Sequence, residues 1–146
     1  MRIMALDYGS KRIGVAVSDS LGMTAQGKGV ITRSDLREDL KEIANYISEF
    51  DVEKIIVGMP RNMDGSHGSR AEKTQQFINF LRNNLELPVE TWDERLSSAE
   101  AERVLISGDV SRAKRKKVID QVAAAIILQG YLDSKDRGGN NNARGK

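Results

Sequence analysis

The stretch that decides the fold of this chain is residues 2–19, RIMALDYGSKRIGVAVSD. Its first apolar run, Ile3 to Leu6, ends abruptly on Asp7, and a polar segment with Gly9 then leads into a second run rich in Ile and Val. Two such runs on either side of a short glycine-containing segment are typical of a β-hairpin. The sequence therefore predicts two antiparallel strands at the start of the chain, with a carboxylate at the end of the first.

That carboxylate, Asp7, has two interpretations. Burying a charged group at the end of a strand destabilises the fold by roughly several kcal/mol unless another group pairs with the charge. Metal coordination would compensate the charge and also provide chemistry. The alternative is that Asp7 caps the following turn through its own backbone. This stretch alone does not separate the two.

Length and composition favour one globular domain. The chain has 146 residues, of which 39% are apolar and 30% charged, as in soluble globular proteins. No apolar run approaches the roughly 20 residues that cross a bilayer, so no membrane partner is expected. Cysteine is absent, which excludes disulfides and thiolate metal sites. The first strand begins almost at once and leaves no room for a secretory signal, so the cytoplasm is the expected location.

The charge distribution says more than the net charge. The 23 Lys+Arg and 21 Asp+Glu give +2, too little to indicate nucleic-acid binding. Basic residues nevertheless cluster within six positions. Such a patch either binds phosphate groups or simply forms a charged face exposed to solvent. Its members are Arg112, Lys114, Arg115, Lys116 and Lys117.

Strand-like and helix-like patterns alternate along the chain, which predicts an α/β fold with a parallel component in its sheet. The elements expected after the hairpin are a short strand at 29–32, a helix at 35–50 capped by Ser34 or Asp35, a strand at 54–58, an exposed mobile loop at 61–70, a helix from Ala71, a strand at 89–92, a helix from Ser97, and a last helix at 114–132. The domain should span 1–134 and the polar tail 135–146 should be disordered.

The last helix is expected to lie close to the sheet. Ala123 and Ala124 follow Asp120 by three and four positions, and small residues there would press Asp120 toward the strand ends. The inner side of this helix is predicted to carry Val118, Val122, Ala125, Ile126 and Gln129.

Three acidic positions then form a candidate site. They are Asp7, Asp93 or Glu94 after a later strand, and Asp120. Ligands in open α/β sheets collect at the carboxyl ends of strands. Carboxylate oxygens suit Mg²⁺, and a two-metal centre can clamp the attacking and leaving oxygens of a phosphodiester. Basic residues beside Asp120 would hold such a polyanion.

Four segments carry a family resemblance: ALDYGSKRIGVAVSD (5–19), IIVGMPRNMDGSHGSRA (55–71), WDERLSSAEAE (92–102) and KRKKVIDQVAAAIILQGYL (114–132). Together they resemble the YqgF family, a ribonuclease-H-like group related to Holliday-junction resolvases and regarded as pre-16S rRNA nucleases. The resemblance extends from Arg2 to about Asp133. It implies a five-stranded mixed sheet with strands 1–3 antiparallel and helices on both faces.

The resemblance also implies a site. Asp7, Glu94 and Asp120 match the family's catalytic and metal-binding acids, with Mg²⁺ or Mn²⁺ as the metal and a metal-activated water as the nucleophile. Asp93 stays open as the second ligand. Neighbouring side chains on a strand point to opposite faces, so one of Asp93 and Glu94 should face the metal. The sequence departs from the family's pattern at Ser97 and Ser98, where a threonine often stands, and serine in place of threonine is a mild change.

Other residues are candidates for contact with the nucleic-acid backbone. Lys11 and Arg12 lie in the turn beside Asp7, where the alternative is simple exposure. Arg61, Asn62 and the glycine-flanked loop around Gly65 are candidates too, where the alternative is an ordinary loop without a binding role. Arg95 would bind substrate or form an ion pair with Glu94.

The leading hypothesis is a metal-dependent endonuclease that acts on structured RNA, most of all the 5′ end of pre-16S rRNA in a ribosomal particle. A Holliday-junction resolvase cutting branched DNA is the alternative within the same chemistry, and it would need two active sites on a symmetric dimer. A non-catalytic nucleic-acid-binding module belongs to another class. An actin-like phosphotransferase would need a second lobe and a second D-x-G loop, neither of which is evident. The oligomeric state stays open.

Overall fold

The computed structural model describes residues 1–60, 68–93 and 120–134. Within these ranges the strands and helices are β1 (Arg2–Tyr8), β2 (Arg12–Ser18), β3 (Ala25–Thr32), α1 (Leu36–Phe50), β4 (Val52–Met59), α2 (Ser69–Asn84), β5 (Val89–Asp93) and α3 (120–134).

The strands form one mixed sheet in the order β3-β2-β1-β4-β5. The pairs β1–β2 and β2–β3 are antiparallel, as the predicted hairpin requires, whereas β4 runs parallel to β1 and β5 parallel to β4. Helices connect the parallel strands because a parallel neighbour needs a crossover. The predicted five-stranded mixed sheet is confirmed, with β1 at its centre.

Apolar side chains cover both faces of the sheet. On one face, alternate residues of β1 such as Met4 and Leu6 pack with α1 and α2. On the other, Ile3 and Ala5 pack with α3. The two-residue period of a strand explains this division, and helices on both faces are confirmed. No helix within the described residues is long and apolar enough to cross a membrane.

Helix α1 has well-defined ends. The Oδ1 atom of Asp35 accepts a hydrogen bond of 2.9 Å from the backbone N–H of Glu38, so Asp35 is the N-cap. Asp51 adopts a left-handed conformation (φ 52°, ψ 51°), and its N–H donates to the carbonyl of Ile47. This residue ends the helix, and β4 begins at the next position.

The predicted start of the third strand was wrong. The third strand begins at Ala25 rather than Gly29, because its backbone pairs with β2 although Gln26, Gly27 and Lys28 lack an apolar alternation. Such a pattern is expected on an edge strand with an exposed side.

The second helix also begins earlier, so residues 69 and 70 belong to α2 and not to the predicted loop. Its N-cap, Gly68, makes no side-chain hydrogen bond and therefore gave no capping signal in the sequence. Residues 61–67 of that loop, the helix expected from Ser97 and the tail lie outside the described residues.

The predicted inner side of the last helix was only partly correct. Ala125 packs against the apolar cluster under α3, and Oε1 of Gln129 accepts a hydrogen bond from the backbone N–H of Ala25. Val122 and Ile126 are only partly buried, and Val118 lies outside the described residues. The run from Val122 to Leu128 is apolar in every direction, so its periodicity does not define a face. The buried residues are Ala123, Ala124, Ile127, Leu128, Tyr131 and Leu132.

Gly14 lets α3 lie directly on β2. A Cβ atom at this position would overlap the backbone carbonyl of Asp120. Real side chains do not tolerate such an approach, so only glycine fits here without displacing the helix. The predicted close packing of Asp120 therefore depends on the strand as well as on the small residues of the helix.

We expect Gly14→Ala to destabilise the chain by roughly 1–3 kcal/mol, because α3 must move away from the sheet. Urea-induced unfolding measures this change. Gly130→Ala is the matched control: its Cβ would lie 3.4 Å from Nε1 of Trp92, an ordinary contact, and alanine favours a helix by up to about 1 kcal/mol. Equal stability of Gly14→Ala and the wild type would contradict the close approach.

Candidate active site

Asp7 lies near the carboxyl end of the central strand and is half-buried. Ile3 and Ala5 belong to the face that α3 covers, and the two-residue period places Asp7 on that face too. Its cross-strand partner is Gly14. Directly opposed residues of an antiparallel pair project to the same side, so Asp7 lies beside the place where Asp120 contacts Gly14.

Asp120 is brought to the same place by α3. Its Oδ2 accepts a hydrogen bond of 2.6 Å from Nε of Arg12, across 108 positions of sequence. The two side chains are 29% and 21% exposed, for Arg12 and Asp120 respectively. At this exposure an ion pair adds little stability. What the pair fixes is the direction of the Asp120 carboxylate.

Asp93 lies on the opposite face of the sheet. It pairs in register with Met59, which packs in the apolar cluster under α1 and α2. Its neighbour Trp92 packs instead in the cluster under α3, where its ring meets Tyr131 edge-on at 5.9 Å. Asp93 is therefore separated by the sheet from Asp7 and Asp120.

Several predicted residues fall outside the described ranges. They are Arg61, Asn62, Glu94, Arg95, Lys114, Arg115 and Lys116. Within the described residues no group of three or more acidic or histidine side chains is placed to hold a metal ion. Of the predicted site, the structure brings together Asp7, Arg12 and Asp120, with Lys11 in the adjoining turn.

Arg33 anchors the turn between β1 and β2. Its Nη1 donates to the carbonyls of Gly9 at 2.8 Å and Ser10 at 2.9 Å. Its guanidinium lies 4.3 Å from the ring centroid of Tyr8, and that ring stacks on Phe77 at 4.0 Å. Arg33, which directly follows β3, thus holds the turn itself, and Phe77 of α2 holds Tyr8, the residue of β1 that precedes the turn.

The same stack perturbs Tyr8. Burial raises the pKa of its hydroxyl above 10.0, the positive charge of Arg33 lowers that pKa, and the negative charge of Asp39 raises it. Because the pKa is higher in the folded chain, the contribution of Tyr8 to stability is present below the unfolded pKa and is lost as the pH rises through the folded pKa.

A groove of about 890 Å³ opens over this end of the sheet. Its described lining carries five basic side chains and one carboxylate: Lys11, Arg12, Arg33, Arg70 and Lys73 with Asp120. Sequence reasoning missed Arg33, Arg70, Lys73 and the lining residue Thr74. The available signal was the spacing of Arg70, Lys73, Thr74 and Phe77, which puts all four on one face of a helix.

A model of the RuvX family, described as Holliday junction resolvase, matches residues 1–134. The chain belongs to this family. Its members are nucleases, and this chain is accordingly an enzyme of the nuclease class.

Relatives are similar over nearly their full length. A protein of Halothermothrix orenii is 65% identical over 137 residues, which cover 94% of this chain and 98% of the relative. A protein of Desulforamulus reducens is 59% identical over 134 residues, covering 92% and 98% respectively. Both bear the name "Putative pre-16S rRNA nuclease".

Solved resolvase structures share the fold of this RuvX-family chain. Thermus thermophilus RuvC, in complex with a Holliday junction substrate, matches with a TM-score of 0.54 at 15% identity, over 92% of this chain and 95% of RuvC. The fowlpox virus resolvase matches with a TM-score of 0.56 at 16% identity, over 92% and 98%. The predicted ribonuclease-H-like fold is confirmed.

We expect Arg33→Gln to raise the pKa of Tyr8 further and Asp39→Asn to lower it, because the two charges act on the hydroxyl with opposite sign. Tyrosinate absorbance during an alkaline titration measures both shifts. The Tyr8→Phe variant provides the signal of the other two tyrosines for subtraction. Shifts of the same sign in both variants would contradict the described arrangement.

Proposed function

We propose that this chain is a metal-dependent endonuclease that processes the 5′ end of pre-16S rRNA in a cytoplasmic ribosomal particle. The observation that carries the proposal is the meeting of Asp7 and Asp120 around Gly14 at the carboxyl end of β1. The substrate is the one in the names of the relatives.

The described residues fit a divalent cation of the Mg²⁺ or Mn²⁺ kind. Two carboxylates share one face, and hard cations of this kind prefer carboxylate oxygens. A positive group, the guanidinium of Arg12, already contacts Asp120 at this place. When bound, the metal supplies Lewis acidity and a water activated for attack on the phosphodiester.

Glu94 is our candidate for the third acid. Asp93 is separated from Asp7 by the sheet. Glu90 and Trp92 lie on the other face of β5, which faces α3. There the hydroxyl of Tyr131 donates a hydrogen bond of 3.2 Å to Oε2 of Glu90. The next position of this parity in the sequence is Glu94. Asp7, Glu94 and Asp120 would together hold the metal.

The remaining residues would bind the substrate rather than the metal. Arg12 orients the Asp120 carboxylate and presents positive charge beside it. Lys11 lies in the turn anchored by Arg33 and lines the same groove. Both would attract phosphate groups of the strand, and we propose the same role for Arg61, Asn62, Arg95 and the basic residues 114–116. The catalytic unit would be residues 1–134, without the tail.

A resolvase acting on branched DNA is the second candidate. It is favoured by the description of the RuvX family and by the fold shared with two Holliday junction resolvases. The acids would have the same roles on either substrate, so the substrate is decided by experiment and not by the site.

We expect Asp7→Asn and Asp120→Asn to fold normally, to lose cleavage by at least about 100-fold, and to lose Mn²⁺ affinity, because each would remove a ligand charge. Calorimetry with Mn²⁺ provides a readout independent of cleavage. Asp93→Asn is the matched control and should retain both properties, since its carboxylate lies across the sheet. Wild-type cleavage by Asp7→Asn or Asp120→Asn would exclude that residue as a ligand.

The cleavage assay compares a labelled RNA spanning the 5′ junction of 16S rRNA with a four-way DNA junction, each with Mg²⁺, with Mn²⁺ and with chelator. Metal-dependent cleavage of the RNA supports the proposal. Cleavage of the DNA junction alone supports the resolvase. Binding without cleavage of either substrate, in free solution and with ribosomal particles, would contradict both nuclease assignments.

A further inference from the structure

The carboxyl end of β1 has a second side, which faces α2 and not the proposed metal ligands. Tyr8 points to this side, where its ring stacks on Phe77 of α2. The residues one and two turns before Phe77 on the same helix face are Lys73 and Arg70. Because Phe77 is fixed against the end of β1, these two basic side chains extend past the strand and over the turn.

The buried Thr74 helps to set this face of the helix. It has no exposed surface, and its Oγ1 donates to the carbonyl of Arg70 at 2.9 Å. Arg70 and Lys73 are themselves exposed. The helix therefore presents two solvent-accessible cations from a rigidly packed position.

The floor of the groove is formed by the turn after Tyr8. Arg33 fixes this turn through the carbonyls of Gly9 and Ser10, and the Nε atom of Arg33 is buried without a hydrogen-bond partner among the described residues. Lys11 is exposed in the same turn and lines the groove. Positive charge thus comes from the floor as well as from the α2 wall.

The opposite wall holds Arg12 and Asp120, whose charges compensate each other. Apart from that pair, the described lining of the groove carries four basic residues, Lys11, Arg33, Arg70 and Lys73, and no carboxylate. The groove also passes over the end of the sheet, from the α3 face to the α2 face. A ligand lying along it would carry negative charge along its length.

We propose that this groove binds the sugar–phosphate backbone of a nucleic-acid strand, with Arg70 and Lys73 holding phosphates beyond the one at Asp120. The strand would cross the end of β1 from one face of the sheet to the other. These contacts are independent of sequence, because they involve phosphates and not base edges. The inference rests on the proposed function in one respect, because that function places the cleaved phosphate next to Asp120.

Salt-dependent binding tests the groove. Each phosphate contact on a single strand contributes about 0.7 to the slope of log affinity against log salt concentration. We therefore expect Arg70→Gln/Lys73→Gln to reduce that slope by about 1.4 and the affinity by roughly 25-fold at ~0.1 M salt. The probe is a fluorescently labelled single-stranded RNA, followed by anisotropy with the full chain in chelator.

The matched control is Arg37→Gln/Lys41→Gln, which removes the same two charges from exposed positions of α1. It should leave the slope unchanged. Urea unfolding of both double variants establishes that each is folded. Equal slopes for the two double variants, or an unchanged slope for Arg70→Gln/Lys73→Gln, would overturn the proposal.

The outcome is separable from that of the proposed function. The binding assay contains chelator and needs no cleavage, so a chain that binds through the groove but cuts no substrate supports the groove and contradicts the nuclease mechanism. A chain that cuts normally but binds equally well without Arg70 and Lys73 contradicts the groove alone.

Discussion

The contact between Gly14 and the backbone of Asp120 is the constraint on which the site depends. It removes a side chain from β2 so that α3 can rest on the sheet at the carboxyl end of β1. Asp7 is directly opposite Gly14 in the hairpin. The absence of a side chain at Gly14 therefore lets α3 bring Asp120 to the face that carries Asp7, more than 100 positions away in the sequence.

The charges around this contact follow a simple division. The carboxylate of Asp120 approaches from the α3 face, whereas the basic groups of α2 approach from the other face, and both line the groove over the turn after β1. Arg12 joins the two regions because it begins β2 and reaches Asp120. An enzyme that cuts a polyanion needs both kinds of group close together, and a turn at the centre of a sheet can bring them together without burying either.

Much of the fold was predictable because its signals are local. The apolar runs of β1, β2 and β4 and the capping by Asp35 are visible in short windows of sequence. The start of β3 was not predictable, since polar residues and glycines pair there only through the backbone of β2. The buried face of α3 was hidden by its uniformly apolar composition.

The site was predictable to a different extent. Asp7 and Asp120 emerged from their positions relative to apolar segments and from the family resemblance, which also singled out Glu94. The spacing of Arg70, Lys73 and Phe77 had no evident meaning until the stack of Phe77 on Tyr8 located that helix face.

The order of the elements along the chain also affects how the protein folds during synthesis. Protein chains emerge from the ribosome N-terminus first. The side chains of Ile3, Ala5 and Ile56 therefore stay uncovered until α3 has been synthesised and packs on them. Since that helix also carries Asp120, the folding step that completes this half of the core also brings in one acid of the proposed site, and an unfinished nascent chain lacks both.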